Sequence, residues 1–216
     1  MATPGSLEPE YTKHFAMAAA GLVGWYAKKV DLANTSQLYA ALMELSTSGD
    51  VPPGELAGAA TDMSAVAGQA KDFKWLERSL ADIRRLGDTC RDSDEVRIGH
   101  LQCGMNAVSA YVLADDRTSM RRVLEELVNV AARVEQIAVL KKAGTQALLL
   151  MNQRRRAGDP DTARRACDLI SSLGPGHLQD STLSQLEFAA KMLLVVVEST
   201  GDVEFFGGDD KPQITF

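Results

Sequence analysis

The chain has 216 residues, and its 29 Asp and Glu against 23 Lys and Arg give a net charge of −6. Apolar residues make up 45%, which is typical of a soluble fold, and the length suits one or two ordinary domains or one solenoid of helix pairs. The three cysteines, Cys90, Cys103 and Cys167, form no C-x-x-C pair. A disulfide framework is therefore excluded, and a reducing compartment is predicted.

An apolar run from Ala16 to Tyr26 resembles neither a membrane span nor a signal peptide. It is too short to cross a bilayer. Acidic Glu8 and Glu10 precede it, where a signal peptide carries positive charge. We therefore expect a cytoplasmic protein without a membrane partner, in which this run forms part of an apolar helix.

The N-terminal quarter predicts a disordered start and two helices. Residues 1–8 are rich in Gly, Pro and Ser, which predicts disorder. A helical repeat domain is predicted over residues 9–201, because period-two alternation is absent before the C-terminal tail. A first helix is predicted from about Pro9 to Lys29, with an apolar series of Phe15, Ala18, Ala19, Leu22 and Tyr26. A second helix follows Asp31 and ends near Ser48.

Seven further helices are predicted after the break at Asp50–Gly54. The segment Glu55–Ala70 is rich in small residues, which permit close helix approach but bury less area, so we expect the thinnest part of the fold here. Asp72–Leu86 is strongly amphipathic, and Ser93 is a candidate cap for a helix that continues to about Ala114. The last four helices are predicted at Arg117–Arg133, Gln136–Arg156, Pro160–Leu173 and Thr182–Thr200.

An aspartate followed by a fixed apolar pattern recurs along the chain. Asp116 and Asp159 are 43 residues apart, as are Asp72 and Asp115, and Asp31 lies 41 residues before Asp72. A period in this range is typical of solenoids. Apolar or small residues follow at offsets of four, eight, eleven and fourteen in three copies: Leu76, Leu80, Ile83 and Leu86; Met120, Leu124, Leu127 and Val130; Ala163, Cys167, Ile170 and Leu173.

This pattern resembles the tetratricopeptide-repeat (TPR) family, in which a Gly-Asp turn joins helix A to helix B. Gly158-Asp159, Ala163 and Pro175 match that family, as do tyrosines five residues before two of the turns, Tyr26 and Tyr111. The repeats are longer than the family's typical 34 residues, and its helix-A Trp and Gly are missing. The resemblance implies an all-α superhelix of about nine antiparallel helices. An irregular helical bundle is the alternative.

The resemblance also implies a concave groove, lined by helix A of each pair, that holds a partner peptide or helix. Asn pairs with a peptide backbone through both a donor and an acceptor, and Arg holds a carboxylate at two points. The family's carboxylate clamp is not predicted, since its residue types do not recur in order. An acidic or amphipathic peptide fits better. The implied groove residues are Gln102, Met105, Asn106, Ser109, Thr145, Asn152, Arg155 and Lys191.

Positive charge is concentrated in residues 117–165, which hold eleven Lys or Arg and five Asp or Glu. The cluster comprises Arg117, Arg121, Arg122, Lys141, Lys142, Arg154, Arg155, Arg156, Arg164 and Arg165. Arg154–Arg156 end a helix, where cations are favoured, so part of the cluster has a local explanation. As a partner patch, the cluster suggests either an acidic protein or nucleic acid. The acidity of the whole chain and the shortage of aromatics here argue against nucleic acid.

The last predicted helix lacks a partner helix. Residues 192–197 are apolar all round, which predicts burial on several sides. Gly201-Asp202 is followed by two glycines and a proline, so residues 202–216 are predicted to be a non-helical tail. Three alternatives could cover this helix: the tail through Phe205 and Phe206, a second copy of the chain, or another protein. Leu193 and Val196 are the expected contacts on the helix.

No catalytic or cofactor-binding constellation is evident. His100-x-x-Cys103 has metal-ligand residue types one turn apart, but no third ligand. Gly207-Gly208 lacks the strand and helix that a phosphate-binding loop needs. We therefore expect a protein-binding scaffold rather than an enzyme, without metal or cofactor. A regulatory subunit that senses a small ligand inside the superhelix remains a further alternative.

Overall fold

The computed structural model describes residues 9–46, 51–173 and 180–200, and within these ranges the fold is all-α, without strands. The all-α prediction is therefore confirmed. Residues 1–8 and the predicted tail, with Phe205 and Phe206, lie outside the described residues. The helices are α1 Pro9–Lys28, α2 Leu32–Leu45, α3 Pro53–Ala70, α4 Phe73–Thr89, α5 Asp94–Ala114, α6 Arg117–Ala131, α7 Ile137–Arg156, α8 Pro160–Ser172 and α9 Ser181–Thr200.

The same turn occurs four times, after α1, α3, α5 and α7. Its first residue has a positive φ, and the aspartate that follows donates its backbone N–H to a carbonyl five residues earlier, which satisfies the end of the preceding helix. That aspartate then caps the next helix by accepting the backbone N–H three residues ahead. The recurring aspartates therefore mark four equivalent turns, at Val30-Asp31, Lys71-Asp72, Asp115-Asp116 and Gly158-Asp159.

These turns fold the chain into helix pairs in two layers. Each odd-numbered helix contacts the next odd-numbered one, from α1 through α9. Among the even-numbered helices, α6 contacts α8, while the side chains of Tyr39 and Asp82 join α2 to α4, and those of Arg84 and Glu126 join α4 to α6. The core lies between the two layers.

The core uses the apolar positions of the repeat. All twelve residues at the repeated offsets are buried except Val130, which is partly buried and packs against the core. Cys103 and Cys167 are buried, as the sequence predicted. Burial raises the pKa of the Cys103 thiol to about 11, so it remains a small neutral residue there.

The helix α3 is packed on most of its sides rather than being the thin part of the fold. It contacts α1, α2, α4 and α5. A Cβ at Gly99 of α5 would lie 2.9 Å from the Cβ of Ala57, and a Cβ at Gly68 would lie 3.3 Å from that of Ala110. Small side chains therefore bring α3 and α5 close together, and this close approach gives α3 its many neighbours.

The helix α1 buries a different face from the one that its apolar series indicated. Its buried residues are small: Ala16, Ala19, Ala20 and Val23. Of the predicted series, Phe15, Ala18 and Leu22 are exposed, so their assignment to the core is wrong. The reason is that, within the described residues, α1 lies at one end of the odd-numbered layer and makes its main contacts with α2 and α3, and the face turned toward them packs closely through small residues.

Candidate interaction surfaces

The outer surfaces of the two layers differ in chemistry. Within the described residues, every exposed large apolar side chain lies on an odd-numbered helix or, for Val30, in the turn after α1. The even-numbered helices bury one apolar face and expose polar side chains and alanines. The exposed residues of the odd-numbered helices, here called the odd-layer surface, include Tyr11, Phe15, Met17, Leu22, Trp25, Leu113, Ile137, Leu149, Phe188, Met192 and Val195.

A shallow cleft of about 70 Å³ lies on this surface between α3 and α5. Its lining combines small residues with side chains that carry amide and hydroxyl groups. The amide nitrogen of Asn106 donates to the Ser64 hydroxyl at 2.9 Å and to the Thr61 carbonyl at 3.3 Å, which holds this amide group in place. The cleft is lined by Ala65, Gly68, Gln69, Asn106, Ser109, Ala110 and Leu113.

The predicted groove residues are distributed unequally. Asn106 and Ser109 meet in the cleft, and Gln102 lies half-buried on the same helix. Asn152 is half-buried on α7, one repeat after Ser109. Met105 is buried and therefore contributes to the core rather than to a groove.

Two further residues of the predicted groove set are exposed: Thr145 on α7, and Lys191 on α9, where it forms an ion pair with Glu187 at 2.6 Å. The sequence therefore located part of the cleft but not its lining by Gln69 and Leu113. These two residues occupy equivalent positions in successive repeats, and an alignment of the odd-numbered helices by repeat position would have paired them.

The positive cluster is largely neutralised by acidic residues of neighbouring repeats. Arg121 contacts Asp159 at 2.5 Å, and Arg122 contacts Glu77 at 2.5 Å. Counting charge by sequence segment concealed part of this, because the acidic partners Glu77, Asp115 and Asp180 lie outside residues 117–165. Ion pairs of this kind involve Arg117, Arg121, Arg122, Lys141, Arg154 and Arg165.

The three consecutive arginines at the end of α7 have different environments. Arg154 is only 4% exposed, and its guanidinium contacts Asp115 at 2.7 Å and donates to the carbonyl of Val112 at 3.3 Å. Arg155 is half-buried and Arg156 is exposed. Arg154 thus joins two repeats and offers little surface to a partner.

The His100 and Cys103 side chains take separate partners. His100 Nε2 lies 2.5 Å from Glu126 Oε1, while Cys103 Sγ lies 3.7 Å from the Thr61 hydroxyl. Across residues 9–46, 51–173 and 180–200, three or more His, Cys, Asp or Glu side chains nowhere converge as metal ligands. None of the helices in these ranges has the length and apolar character needed to cross a membrane.

At the C-terminal end, α9 packs on α7 and α8. Leu193 and Leu194 pack against the core, and Val196 is half-buried. Met192 and Val195 are exposed, so within the described residues this helix is not buried on all sides. The predicted covering segment, with Phe205 and Phe206, lies outside the described residues.

Comparison with protein-family models, curated proteins and solved structures gives no match to this chain. The fold and its surfaces define the class: an all-α protein built of helix pairs that are joined by a recurring capped turn. In the described ranges its exposed large apolar side chains lie on the odd-numbered helices and, for Val30, in the turn after α1.

Proposed function

We propose that this chain is a TPR-like protein-interaction module that binds a segment of another protein on its odd-layer surface, centred on the cleft between α3 and α5. The observation that supports this most directly is the unequal distribution of exposed apolar side chains between the two layers. Exposed apolar side chains that are concentrated on one layer are one mark of an interaction site. The free cysteines favour a reducing compartment, in agreement with a cytoplasmic scaffold.

The cleft is small, and both apolar and polar side chains are available at it. Leu113, at one edge, is 61% exposed, and Leu149, on the neighbouring helix α7, is 51% exposed. The amide of Gln69 and the amide oxygen of Asn106, whose nitrogen already donates to Ser64 and Thr61, supply hydrogen-bonding groups for a peptide backbone. The cleft holds one small apolar side chain, so the proposed partner is a short peptide or helix with such an anchor.

Cleft size and charge favour this function over the two alternatives. Small-molecule sites usually occupy about 300–1,000 Å³, whereas this cleft has about 70 Å³. Nucleic-acid binding through residues 117–165 would require arginines that are already paired with acidic residues, among them Arg121 with Asp159 and Arg122 with Glu77. A peptide contacts Leu113 and Leu149 without breaking these ion pairs.

The test uses a photo-crosslinking amino acid at Leu113, with Ala81 as the control position. Ala81 is exposed on α4, in the opposite layer. Crosslinking is performed in nuclease-treated lysate of the source organism, the crosslinked peptide is identified by mass spectrometry, and a synthetic copy is titrated against purified protein. We expect a defined peptide at position 113 and none at position 81.

The variants Leu113→Arg and Ala81→Arg give the matched comparison. The affinity of the synthetic peptide should fall at least about tenfold for Leu113→Arg, which corresponds to about 1.4 kcal/mol, and should be unchanged for Ala81→Arg. Equal binding by both variants would contradict the proposal. Association that disappears on nuclease treatment would favour nucleic acid instead.

A further inference from the structure

The helix α1 exposes its large apolar side chains and buries its small ones. Its buried face consists of Ala16, Ala19, Ala20 and Val23. A helix in a globular protein normally turns its larger apolar stripe toward the core. The reversed arrangement leaves an apolar surface without a partner in the described chain. The exposed fractions are 64% for Tyr11, 58% for Phe15, 47% for Leu22 and 50% for Trp25.

The exposed residues follow the spacing of paired helices. Tyr11, Phe15, Ala18, Leu22 and Trp25, here called the α1 stripe, are separated by four, three, four and three residues. All five are exposed. This is the heptad spacing with which two helices interlock along a shared seam.

We propose that a second copy of this chain covers the α1 stripe, with the two α1 helices antiparallel about a twofold axis at Ala18. The stripe has the same order of sizes from either end: two large residues, one small residue and two large residues. With Ala18 opposite Ala18 of the partner subunit, Tyr11 faces Trp25 of the partner subunit, and Phe15 lies within one residue of the level of Leu22 of the partner subunit. A twofold interface requires such self-complementarity.

Small residues at the centre permit close approach of the two helices. Ala18 lies at the proposed axis, and Gly21, one turn away, is exposed with no atom within 4 Å of a Cβ built there. The large side chains on either side then interlock near the two ends.

Charge favours the antiparallel arrangement over a parallel one. Lys28 and Lys29 are exposed at the C-terminal end of α1, and the Lys29 ammonium lies 3.7 Å from the centre of the Trp25 ring. A parallel pair would place these lysines beside those of the partner subunit. An antiparallel pair separates them to opposite ends, which removes the repulsion.

The size of the stripe predicts a reversible dimer. A fully buried aromatic side chain buries about 150–250 Å². Each of the four half-exposed large side chains can therefore bury about 100 Å² more in an interface. The stripe therefore provides about 400 Å² per copy, half of the roughly 800 Å² of a standard interface. We expect association in the micromolar range of concentration. The stripe belongs to the odd-layer surface but shares no residue with the cleft between α3 and α5, so the dimer and the peptide site are tested at different residues.

Sedimentation velocity of the full chain, over a concentration series through the micromolar range, tests the dimer. We expect wild type to change from monomer to dimer and Phe15→Ser/Leu22→Ser to remain monomeric. The matched control Leu113→Ser/Leu149→Ser, which removes exposed apolar residues elsewhere, should behave as wild type. Circular dichroism establishes that all three are folded. A wild type that is monomeric throughout, or a stripe variant that dimerises normally, would overturn the proposal.

Cysteine crosslinking tests the arrangement. In a Cys90→Ser background, in which the remaining Cys103 and Cys167 are buried, Ala18→Cys should form a disulfide-linked dimer on mild oxidation. Tyr11→Cys alone should not, because it faces Trp25 of the partner subunit. Crosslinking by Tyr11→Cys would show a parallel pair, and failure of Ala18→Cys to crosslink would place the contact elsewhere. Either result would overturn the proposed geometry.

Discussion

Arg84 of α4 and Glu126 of α6 form a two-point salt bridge between neighbouring repeats. The guanidinium contacts the two carboxylate oxygens at 2.8 and 2.7 Å. The same carboxylate accepts a third contact from His100 Nε2 at 2.5 Å. The two residues are 42 positions apart, about one repeat, so the polar contacts between repeats follow the same period as the core.

Replacement of Glu126 should weaken the fold in a pH-dependent way. Burial alone would raise the pKa of Glu126, but hydrogen bonds from His100 and Arg84 outweigh it and lower the pKa to about 2 from an ordinary 4.5. Because the folded-state pKa is depressed, the stabilisation is complete above about pH 4.5 and is lost as the pH falls toward 2. We expect Glu126→Gln to reduce the free energy of unfolding by about 1–3 kcal/mol at pH 7.

Urea unfolding at pH 7 and at pH 3 measures this effect. The difference between wild type and Glu126→Gln should be smaller at pH 3. Glu125→Gln is the control, since Glu125 is exposed and its contact with Arg165 is long, at 3.6 Å. An equal loss of stability for both variants would argue against a specific contribution of the Glu126 network.

Among the consecutive arginines of α7, replacement of the buried one should destabilise the fold, whereas replacement of an exposed one should not. Arg154→Ala removes the contacts with Asp115 and with the carbonyl of Val112, and should reduce the free energy of unfolding by about 2 kcal/mol. Arg156→Ala, at an exposed position, should change it by less than about 0.5 kcal/mol. Thermal unfolding of the two variants decides this, and equal melting temperatures would contradict it.

The close approach of α3 and α5 predicts opposite effects of two glycine replacements. A Cβ at Gly99 would lie 2.9 Å from the Ala57 side chain and 3.2 Å from its carbonyl oxygen, so Gly99→Ala should destabilise the protein by about 1–3 kcal/mol. Gly58 of α3 has no atom within 4 Å of such a Cβ. Gly58→Ala should therefore stabilise it by about 0.5–1 kcal/mol, because glycine is unfavourable inside a helix. Chemical denaturation of the two variants measures both changes in the free energy of unfolding.

The carboxylate of Asp62 should be a source of instability at neutral pH. It lies tight against α1, since a Cβ at Gly24 would be 2.8 Å from its oxygen. Burial raises the pKa of Asp62 above 3.8, while Lys28 opposes the shift. Because the folded-state pKa is raised, the charged form weakens the fold, and stability falls as the pH rises through that pKa.

Asp62→Asn should consequently raise the melting temperature at pH 7 and have little effect below pH 3.8. Asp88→Asn, at an exposed position on α4, is the control and should leave the melting temperature nearly unchanged at both pH values. A lower melting temperature for Asp62→Asn at pH 7 would mean that the carboxylate contributes favourable contacts that outweigh its desolvation.

The helices and turns were predictable because their causes are local. An aspartate that caps the helix following it and apolar residues at fixed offsets act within a few turns of chain, so the sequence indicated them directly. The same local signals located the second helix of three pairs through Leu76, Met120 and Ala163, all of which are buried.

Only the tertiary structure decided which surfaces are available. The helix α1 has apolar residues on two faces. Its neighbours α2 and α3 pack against the face that carries Ala19 and Val23, which leaves Phe15 exposed to solvent. The sequence indicates an open positive patch in residues 117–165. In the folded chain, the packing of neighbouring repeats places acids such as Glu77 and Asp159 against these arginines. The sequence itself thus determined the period and the helices. Burial and charge pairing depend instead on contacts between residues about one repeat apart, and these contacts form only when the layers pack.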